Sequence, residues 1–540
     1  MRDKTSFFIK GFTQSATLTI FSRISGFVRD IFIAAFLGAG IFSDIFLIAF
    51  KLPNLFRRIT AEGALTSACL PVYSKLIEQK GKSFADKFLK GFIFRTTIIL
   101  LLIMIILQII MPFFMFFLAP GFSGNNLALD QMTTLTRITI IFMPLISIVA
   151  LLGIATNVSG KFWILSLTPI ILNFSLIISC FFISDNWTVK SLPLALATVI
   201  GGILQLIFIL TMIKKFQILQ FTKLNEKSKT IKEDSQIKLY LKQTWKKFLP
   251  AAFGGGILQV NLLVDTILAS LLGFGSVSYL YFADRIAQLP LGIIGIALST
   301  ALLTSLSRSS ATKNMKQFSK ELIISLKIGL FFSIPSSFVF INFPELFIGT
   351  LFERGEFGYL ETKQTAHALV AYALGIPSFI IIKSCQSAFL ATGNTKTPMY
   401  IGLVLLIINV LLSFTLMHYL SHSGIALATS LASWIGTIIY IVLLIKKGKI
   451  SKLKFSFKYD QFNLFFVIIY ALKIFLASCF MVLIMKSIFY NLNLYKINEI
   501  YISVLLVLFG LLTYFLTTYF LKYIPQELTN ANIFKFRKVK

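Results

Sequence analysis

Long apolar runs recur along this chain from one end to the other, and they constrain its fold more than any other feature. One of them, TIILLLIMIILQIIMPFFMFFL at 97–118, contains no charged residue. About 20 such residues are enough for a helix to cross the hydrocarbon core of a bilayer. The strands of a transmembrane barrel alternate apolar and polar residues, and this run does not alternate. We therefore predict an all-α polytopic membrane protein.

The composition agrees with this class, because 56% of the 540 residues are hydrophobic and only 13% are charged. A soluble protein needs a larger polar surface than that. The apolar runs predict 14 transmembrane helices, at 11–37, 43–73, 91–118, 131–157, 162–184, 191–213, 246–272, 277–307, 321–343, 364–391, 398–419, 424–445, 462–487 and 499–522.

The basic residues that give the chain its net charge of +30 lie mostly in the connections between these helices. Lysine and arginine concentrate in alternate connections, such as KLIEQKGKSFADKFLK at 75–90, whereas APGFSGNNLALD at 119–130 carries no basic residue. Cytoplasmic loops carry this excess of positive charge, so both termini are expected on the cytoplasmic side. We expect no nucleic-acid partner, since no soluble stretch is long enough to fold into a module with a basic face.

The first half of the chain is repeated in the second. DIFIAAFLGAGIFSD (30–44) resembles DTILASLLGFGSVSY (265–279), and ALTSACLPVYSK (64–75) resembles ALSTALLTSLSR (297–308). Six predicted helices separate the copies, so both insert in the same orientation. The repeat predicts two pseudo-symmetric six-helix lobes. A central cavity is expected between them, because transporters place substrate sites at such repeat interfaces. The predicted regions are lobes at 1–213 and 246–445, a basic cytoplasmic linker at 214–245, and a region at 446–540 with two extra helices and a basic cytoplasmic tail.

Charged residues lie inside three of the predicted helices. A charge at the centre of a membrane helix costs about 2.5–3.5 kcal/mol on insertion scales, so it usually faces a partner or a cavity. The charged residues are Arg23, Arg29 and Asp30 in the first helix, Lys51, Arg57, Arg58 and Glu62 in the second, and Asp284 and Arg285 in the eighth.

Mutual neutralisation explains only some of these charges. Arg58 and Glu62 have the i, i+4 spacing of an ordinary helical ion pair. Arg29 and Asp30 are neighbours whose side chains leave the helix about 100° apart, so we do not expect them to neutralise each other. A surplus of arginine suits a multivalent anion, because guanidinium grips phosphate oxygens through two hydrogen bonds at once.

Four stretches of the chain resemble the MurJ (MviN) family of lipid II flippases, within the multidrug/oligosaccharidyl-lipid/polysaccharide exporter superfamily. These stretches are SRISGFVRD (22–30), GAGIFSDIFLIAFKLPNLFRRITAEGALTSACLPVYSK (38–75), YFADR (281–285) and ALSTALLTSLSRS (297–309). The resemblance implies 14 helices, a cationic central cavity, and a groove for a lipid tail formed by the last two helices.

The resemblance also implies the substrate and the residues that hold it. The expected substrate is lipid II, the undecaprenyl-diphosphate-linked peptidoglycan precursor, moved from the cytoplasmic to the periplasmic leaflet of the bacterial inner membrane. The substrate residues implied by the matching motifs are Arg23, Arg29, Arg57 and Arg285, with acids at Asp30, Asp44 and Glu62. We expect a monomer surrounded by membrane lipids, with no cofactor and no enzymatic activity.

A coupling ion is a further hypothesis. Asp265 corresponds to Asp30 in the repeat, Asn409 and Ser413 share one face of a helix, and Thr429 lies in the next helix. Four oxygen donors with one carboxylate suit a hard monovalent cation such as sodium. Small polar residues also form ordinary hydrogen bonds between membrane helices, and the membrane potential alone can drive an anion outward.

Three other functions compete with the flippase of lipid II. A drug exporter for cationic substrates fits the arginines poorly. A flippase for another polyprenyl-diphosphate oligosaccharide, of O-antigen type, needs the same chemistry, and only the family-specific stretches argue against it. An enzyme acting on polyprenyl phosphates needs paired carboxylates for a metal or a nucleophilic histidine, and the sequence has no D-x-D motif.

Overall fold

The computed structural model describes residues 2–59, 65–187, 189–219, 231–445, 464–494 and 499–525, and most of them are helical. No β-strand occurs in this part of the chain, which has one isolated bridge, between Arg354 and Phe357. The predicted all-α fold class is confirmed. Two compact units are present: unit 1 consists of Met1–Ser278 and Arg354–Phe357, and unit 2 of Tyr279–Glu353 and Gly358–Lys540.

Unit 1 contains the helices α1 (Arg2–Leu37), α2 (Ile41–Ile59), α3 (Leu65–Lys80), α4 (Lys82–Leu118), α5 (Asn126–Thr139), α6 (Phe142–Val158), α7 (Phe162–Cys180), α8 (Leu192–Lys215) and α9 (Ile231–Ser270). Its core lies around α6, where Val149, Leu151 and Ile154 are fully buried. By contrast, the part of α4 at 97–118 is apolar all round and leaves Ile109 and Phe113 largely exposed. A helix with this pattern is expected where one side faces lipid rather than water.

Unit 2 contains α10 (Ser276–Pro290, which starts in the last residues of unit 1), α11 (Ile296–Ala311), α12 (Met315–Asn342), α13 (Pro344–Phe352), α14 (Tyr359–Ala373), α15 (Ile376–Ala391), α16 (Lys396–Ile445), α17 (Leu464–Leu494) and α18 (Glu499–Phe520). The last two helices pack onto α12. Tyr514 of α18 is buried and donates a hydrogen bond to the carbonyl of Phe331 at 2.6 Å. The two helices outside the repeat are therefore integral to unit 2.

When helices are counted by length and apolarity, the described part of the structure has fewer candidate membrane spans than the 14 that the sequence predicts. Among the described residues, nine helices are long and apolar enough to cross a membrane, or ten if a bent pair formed by α14 and α15 is one span. Charges explain part of the difference, because α2 carries Asp44, Lys51, Arg57 and Arg58 within 19 residues. In addition, α16 counts once although its helical geometry breaks at Ser421 (φ 53°, ψ −139°). The count of 14 stays a prediction.

The two copies of the repeat share one local geometry. In each, a glycine with positive φ lies between a long helix and the next one: Gly38 (φ +67°) directly after α1, and Gly273 (φ +109°) three residues after the end of α9. Glycine adopts this conformation without the penalty that a side chain would bring. Within unit 1, α9 also packs against α4, where the rings of Trp245 and Phe92 lie 5.5 Å apart. The predicted region boundaries at 213, 245 and 445 stay predictions.

Candidate functional site

The Arg29 cluster, which we define as Arg29, Asp30, Asn173 and Ser25, lies where α1 meets α7 in unit 1. Arg29 is half-buried and Asp30 is buried, with side chains 12% and 2% exposed. Arg29 donates from Nε and Nη2 to Asp30 Oδ1, at 3.0 and 2.7 Å, and from Nη1 to Asn173 Oδ1 at 3.1 Å. Asn173 in turn donates from Nδ2 to Ser25 Oγ at 2.9 Å. A planar cation is thus held by two acceptors from two helices.

The expectation that Arg29 and Asp30 would not neutralise each other is wrong. The 2.7 Å separation of Arg29 Nη2 and Asp30 Oδ1 makes a salt bridge between neighbours in sequence. Helical geometry separates the two Cβ directions by about 100°. The long, flexible arginine stem bends back across that angle, and one oxygen of the buried Asp30 carboxylate then accepts from Nε and Nη2 along a single edge of the guanidinium.

Asn173 is a functional candidate that the sequence analysis missed. It is 6% exposed in α7, within the apolar run ILNFSLII. An amide buried in an apolar membrane helix needs a hydrogen-bonding partner, and such residues often mark functional positions. The sequence shows this buried amide, but it does not show that the partner of Asn173 is Arg29, which lies 144 residues away on α1.

The two arginines of α2 are both half-buried. Arg57 is half-buried and donates from Nε to Asn54 Oδ1 at 2.9 Å. Arg58 is also half-buried, and its expected partner Glu62 lies outside the described residues. Arg23 of α1 is exposed. Of the predicted substrate residues, the structure brings Arg29 and Asp30 into direct contact.

Asp44 lies at the other end of α2, about 20 Å along the helix from Arg57 at 1.5 Å per residue. It is fully buried. Its Oδ2 accepts from the Gly275 amide at 2.6 Å, and its Oδ1 accepts from the Ser278 amide at 2.8 Å and from the Ser278 hydroxyl. The carboxylate therefore caps the first turn of α10, where free amides and the helix dipole favour a negative charge.

In unit 2, Arg285 and Asp284 turn to different partners. Arg285 donates from Nη2 to Tyr281 Oη at 3.0 Å, and its guanidinium carbon lies 4.6 Å from the centre of the Tyr281 ring. Asp284 accepts from Gln288 Nε2 at 2.5 Å, one turn further along α10. One side chain orients Arg285 through both a hydrogen bond and a cation–π contact.

The four predicted sodium ligands are divided between the units. Asp265 lies in α9 of unit 1, and the other three lie in α16 of unit 2. Asn409 and Ser413 are buried one turn apart, and Ser413 Oγ has no hydrogen-bond partner in the described part of the chain. Thr429 donates its hydroxyl to the carbonyl of Ile425 at 3.2 Å. Among the described residues, no group of three or more histidine, cysteine, aspartate or glutamate side chains could hold a metal ion.

Comparisons with known proteins agree on one family. The family model described as "Lipid II flippase MurJ" matches residues 33–529. A protein named "Probable lipid II flippase MurJ" from Buchnera aphidicola subsp. Schizaphis graminum is 34% identical over 466 residues, which cover 86% of this chain and 88% of that protein. Its namesake from Rickettsia prowazekii is 36% identical over 425 residues, which cover 78% of this chain and 80% of that protein.

Solved structures extend the likeness to the fold. A lipid II flippase MurJ in an inward closed conformation matches 94% of this chain and 98% of its own, with a TM-score of 0.74 and 28% identity. An inward-facing multidrug resistance transporter of the MATE family matches 80% of this chain and 96% of its own, with a TM-score of 0.64 and 12% identity, which shows a shared fold alone. The match to the family model and the identity with the relatives show that the chain belongs to the MurJ family of lipid II flippases.

Proposed function

We propose that this chain is a lipid II flippase, which moves the undecaprenyl-diphosphate-linked peptidoglycan precursor from the cytoplasmic to the periplasmic leaflet. The observation that carries the proposal is the family match over residues 33–529, nearly the whole chain. The many apolar helices and the family make the chain a multi-pass protein of the bacterial inner membrane. Flipping a lipid makes and breaks no covalent bond, so we propose that the chain is a transporter and not an enzyme.

We further propose that arginines of both units bind the diphosphate during transport. Arg23, Arg29 and Arg57 belong to unit 1, and Arg285 belongs to unit 2. Each lies in a helix of a chain with few charges, where an arginine costs several kcal/mol to insert unless it has a function or a partner. A diphosphate offers several anionic oxygens in the geometry that a guanidinium binds through two hydrogen bonds.

The orientation in the membrane is also a proposal. Both termini face the cytoplasm, because the basic connections occur at every second loop, as the positive-inside rule requires. With this orientation, the proposed transport begins on the side of the membrane that carries the basic loops. We propose that the monomer is the transporting unit.

We propose that sodium assists transport. Asp265, Asn409, Ser413 and Thr429 supply four oxygen donors with one carboxylate, which is a donor set suited to a hard monovalent cation. The buried hydroxyl of Ser413, one turn from the buried Asn409, supports this idea.

The test of the main proposal is rescue of a bacterial strain depleted of its own lipid II flippase. Lipid II exposed at the outer leaflet is measured after expression of the unchanged chain, of Arg57→Ala, of Arg285→Ala and of Arg95→Ala, an exposed arginine of α4 that serves as a matched control. We expect rescue by the unchanged chain and by Arg95→Ala, and loss of rescue by the other two. Full rescue by Arg57→Ala and Arg285→Ala at normal expression would contradict the arginine roles, and no rescue by the unchanged chain would contradict the flippase function.

A further inference from the structure

Asn173 uses both ends of its side-chain amide to join α7 to α1. Its Nδ2 donates to the carbonyl of Ser22 at 3.2 Å and to Ser25 Oγ at 2.9 Å, and its Oδ1 accepts from Arg29 Nη1 at 3.1 Å. A carbonyl can only accept and a guanidinium can only donate. The partners therefore fix which end of the amide faces Arg29.

Two different constraints hold the Arg29 guanidinium. Asp30 binds Nε and Nη2, but it belongs to the same helix as Arg29 and moves with it. Asn173 binds Nη1 from α7, so it fixes the guanidinium relative to a second helix. A planar group gripped on two sides has a defined orientation, and the ordering of a flexible arginine is completed before a ligand arrives.

We propose that Asn173 is a positioning residue for substrate binding, because it supplies a neutral acceptor that orients Arg29 toward the diphosphate of lipid II. This inference rests on the proposed function of Arg29. The neutrality of the amide matters for an anionic ligand. Arg29 and Asp30 together carry no net charge, and a carboxylate in place of Asn173 would leave the cluster negative and repel the diphosphate.

A second buried amide in the same unit provides a matched control. Gln205 of α8 is 1% exposed and donates from Nε2 to the carbonyl of Thr168 in α7 at 2.7 Å. It joins two helices of unit 1 as Asn173 does, but it donates to the backbone of α7 and, among the described residues, does not contact an arginine. Replacing Gln205 with leucine removes one interhelical hydrogen bond, whereas replacing Asn173 with leucine removes three.

The experiment measures the dissociation constant for lipid II and the melting temperature of the full-length chain purified in detergent. We expect Asn173→Leu to weaken lipid II binding about tenfold, the effect of losing a hydrogen bond to a charged group. Gln205→Leu should change the dissociation constant less than about twofold, and it should lower the melting temperature less than Asn173→Leu does, because it loses one hydrogen bond rather than three. In the Arg29→Ala background, Asn173→Leu should cause no further loss of binding, because Asn173 acts through Arg29.

Several results would overturn the inference. One is an equal effect of the two leucine variants on binding, and another is an effect of Asn173→Leu that persists in the Arg29→Ala background. If Asn173→Leu does not fold, Asn173→Asp decides the question, since it keeps an acceptor but adds a charge. We expect it to weaken binding by at least about tenfold, and binding equal to that of the unchanged chain would refute the role of a neutral acceptor. Failure of the unchanged chain to bind lipid II would instead overturn the proposed function.

Discussion

Gly355 approaches the backbone of Ala35 so closely that it has no room for a side chain. A Cβ atom on Gly355 would lie 2.2 Å from the Ala35 carbonyl oxygen, and the residue has a φ of +61°. The next residue, Glu356, donates its amide to that same carbonyl at 2.9 Å. The segment Arg354–Phe357 is therefore held in unit 1 by backbone contact with the end of α1, while the chain on both sides of it belongs to unit 2.

Gly355→Ala should destabilise unit 1 by about 3 kcal/mol, because it adds a clash with the backbone to the cost of a positive φ. Gly81→Ala is the matched control: Gly81 has a φ of +83°, but a Cβ there would meet nothing within 4 Å. The control should lose only about 1 kcal/mol. Melting temperatures of the purified proteins measure both losses, and equal shifts would show that the contact with Ala35 is unimportant.

Asp44→Ala should lower the free energy of unfolding by about 3 kcal/mol, since it leaves the buried amides of Gly275 and Ser278 without their acceptor. Ser278→Ala removes only the hydroxyl and should cost about 1 kcal/mol. The same proteins also test the prediction that Asp44 contacts substrate. If Asp44 acts through the fold, Asp44→Ala lowers the melting temperature and leaves the lipid II affinity of the folded protein unchanged. Loss of affinity at an unchanged melting temperature would support substrate contact instead.

The fold class was predictable because its signal is local. An apolar run such as 97–118 has the length and composition of a membrane helix by itself, and the glycines Gly38 and Gly273 mark equivalent turns in the two repeats. The number of spans was harder to derive, because α2 combines a helix of sufficient length with four charges. Apolarity alone does not distinguish such a helix from one that lies outside the bilayer.

The candidate site was predictable by residue type but not by partner. Intramembrane arginines stand out in the sequence because of their cost in lipid. Their partners depend on tertiary contacts and on side-chain length: Arg29 reaches both its neighbour Asp30 and the distant Asn173. Likewise, nothing local to Asp44 indicates that its carboxylate binds amides 231 and 234 residues further on.

Tyr281 should support the function of Arg285 through two separable contacts. Tyr281→Phe removes the hydrogen bond to Arg285 Nη2 but keeps the ring beneath the guanidinium, so lipid II binding should weaken about threefold. Tyr281→Leu removes both contacts and should weaken binding about tenfold. Dissociation constants for the purified chain measure the difference. Identical constants for both variants would mean that the ring contributes nothing beyond its hydroxyl.

Lys190, in the connection between α7 and α8, should contribute a small, pH-dependent stability. Burial lowers the pKa of Lys190, but its contacts with Asp185 at 3.2 Å and Glu356 at 3.5 Å outweigh burial, and the net pKa lies above the usual 10.5. The stabilisation is therefore complete below pH 10.5 and is lost as the pH rises through the folded-state pKa. It should not exceed about 1 kcal/mol, since both carboxylates are exposed. Melting temperatures of the unchanged chain and Lys190→Met should differ by a constant amount from pH 7 to 9 and converge at higher pH; a difference that grows above pH 10.5 would contradict this sign.

If the oxygen donors of Asp265 and Ser413 bind the coupling ion, replacing sodium with potassium should slow lipid II transport into liposomes about tenfold, which corresponds to a preference for sodium of about 1.4 kcal/mol. Asp265→Ala and Ser413→Ala should each lower the rate in sodium to that seen in potassium, because the missing ligand makes the two ions equivalent. Thr415→Val is the matched control, since Thr415 is exposed on the same helix as Ser413 and its hydroxyl bonds to the backbone of α16. Its rate should keep the full sodium dependence. Transport that is unaffected both by Asp265→Ala and by removal of sodium would exclude the sodium site and leave the membrane potential as the driving force to examine.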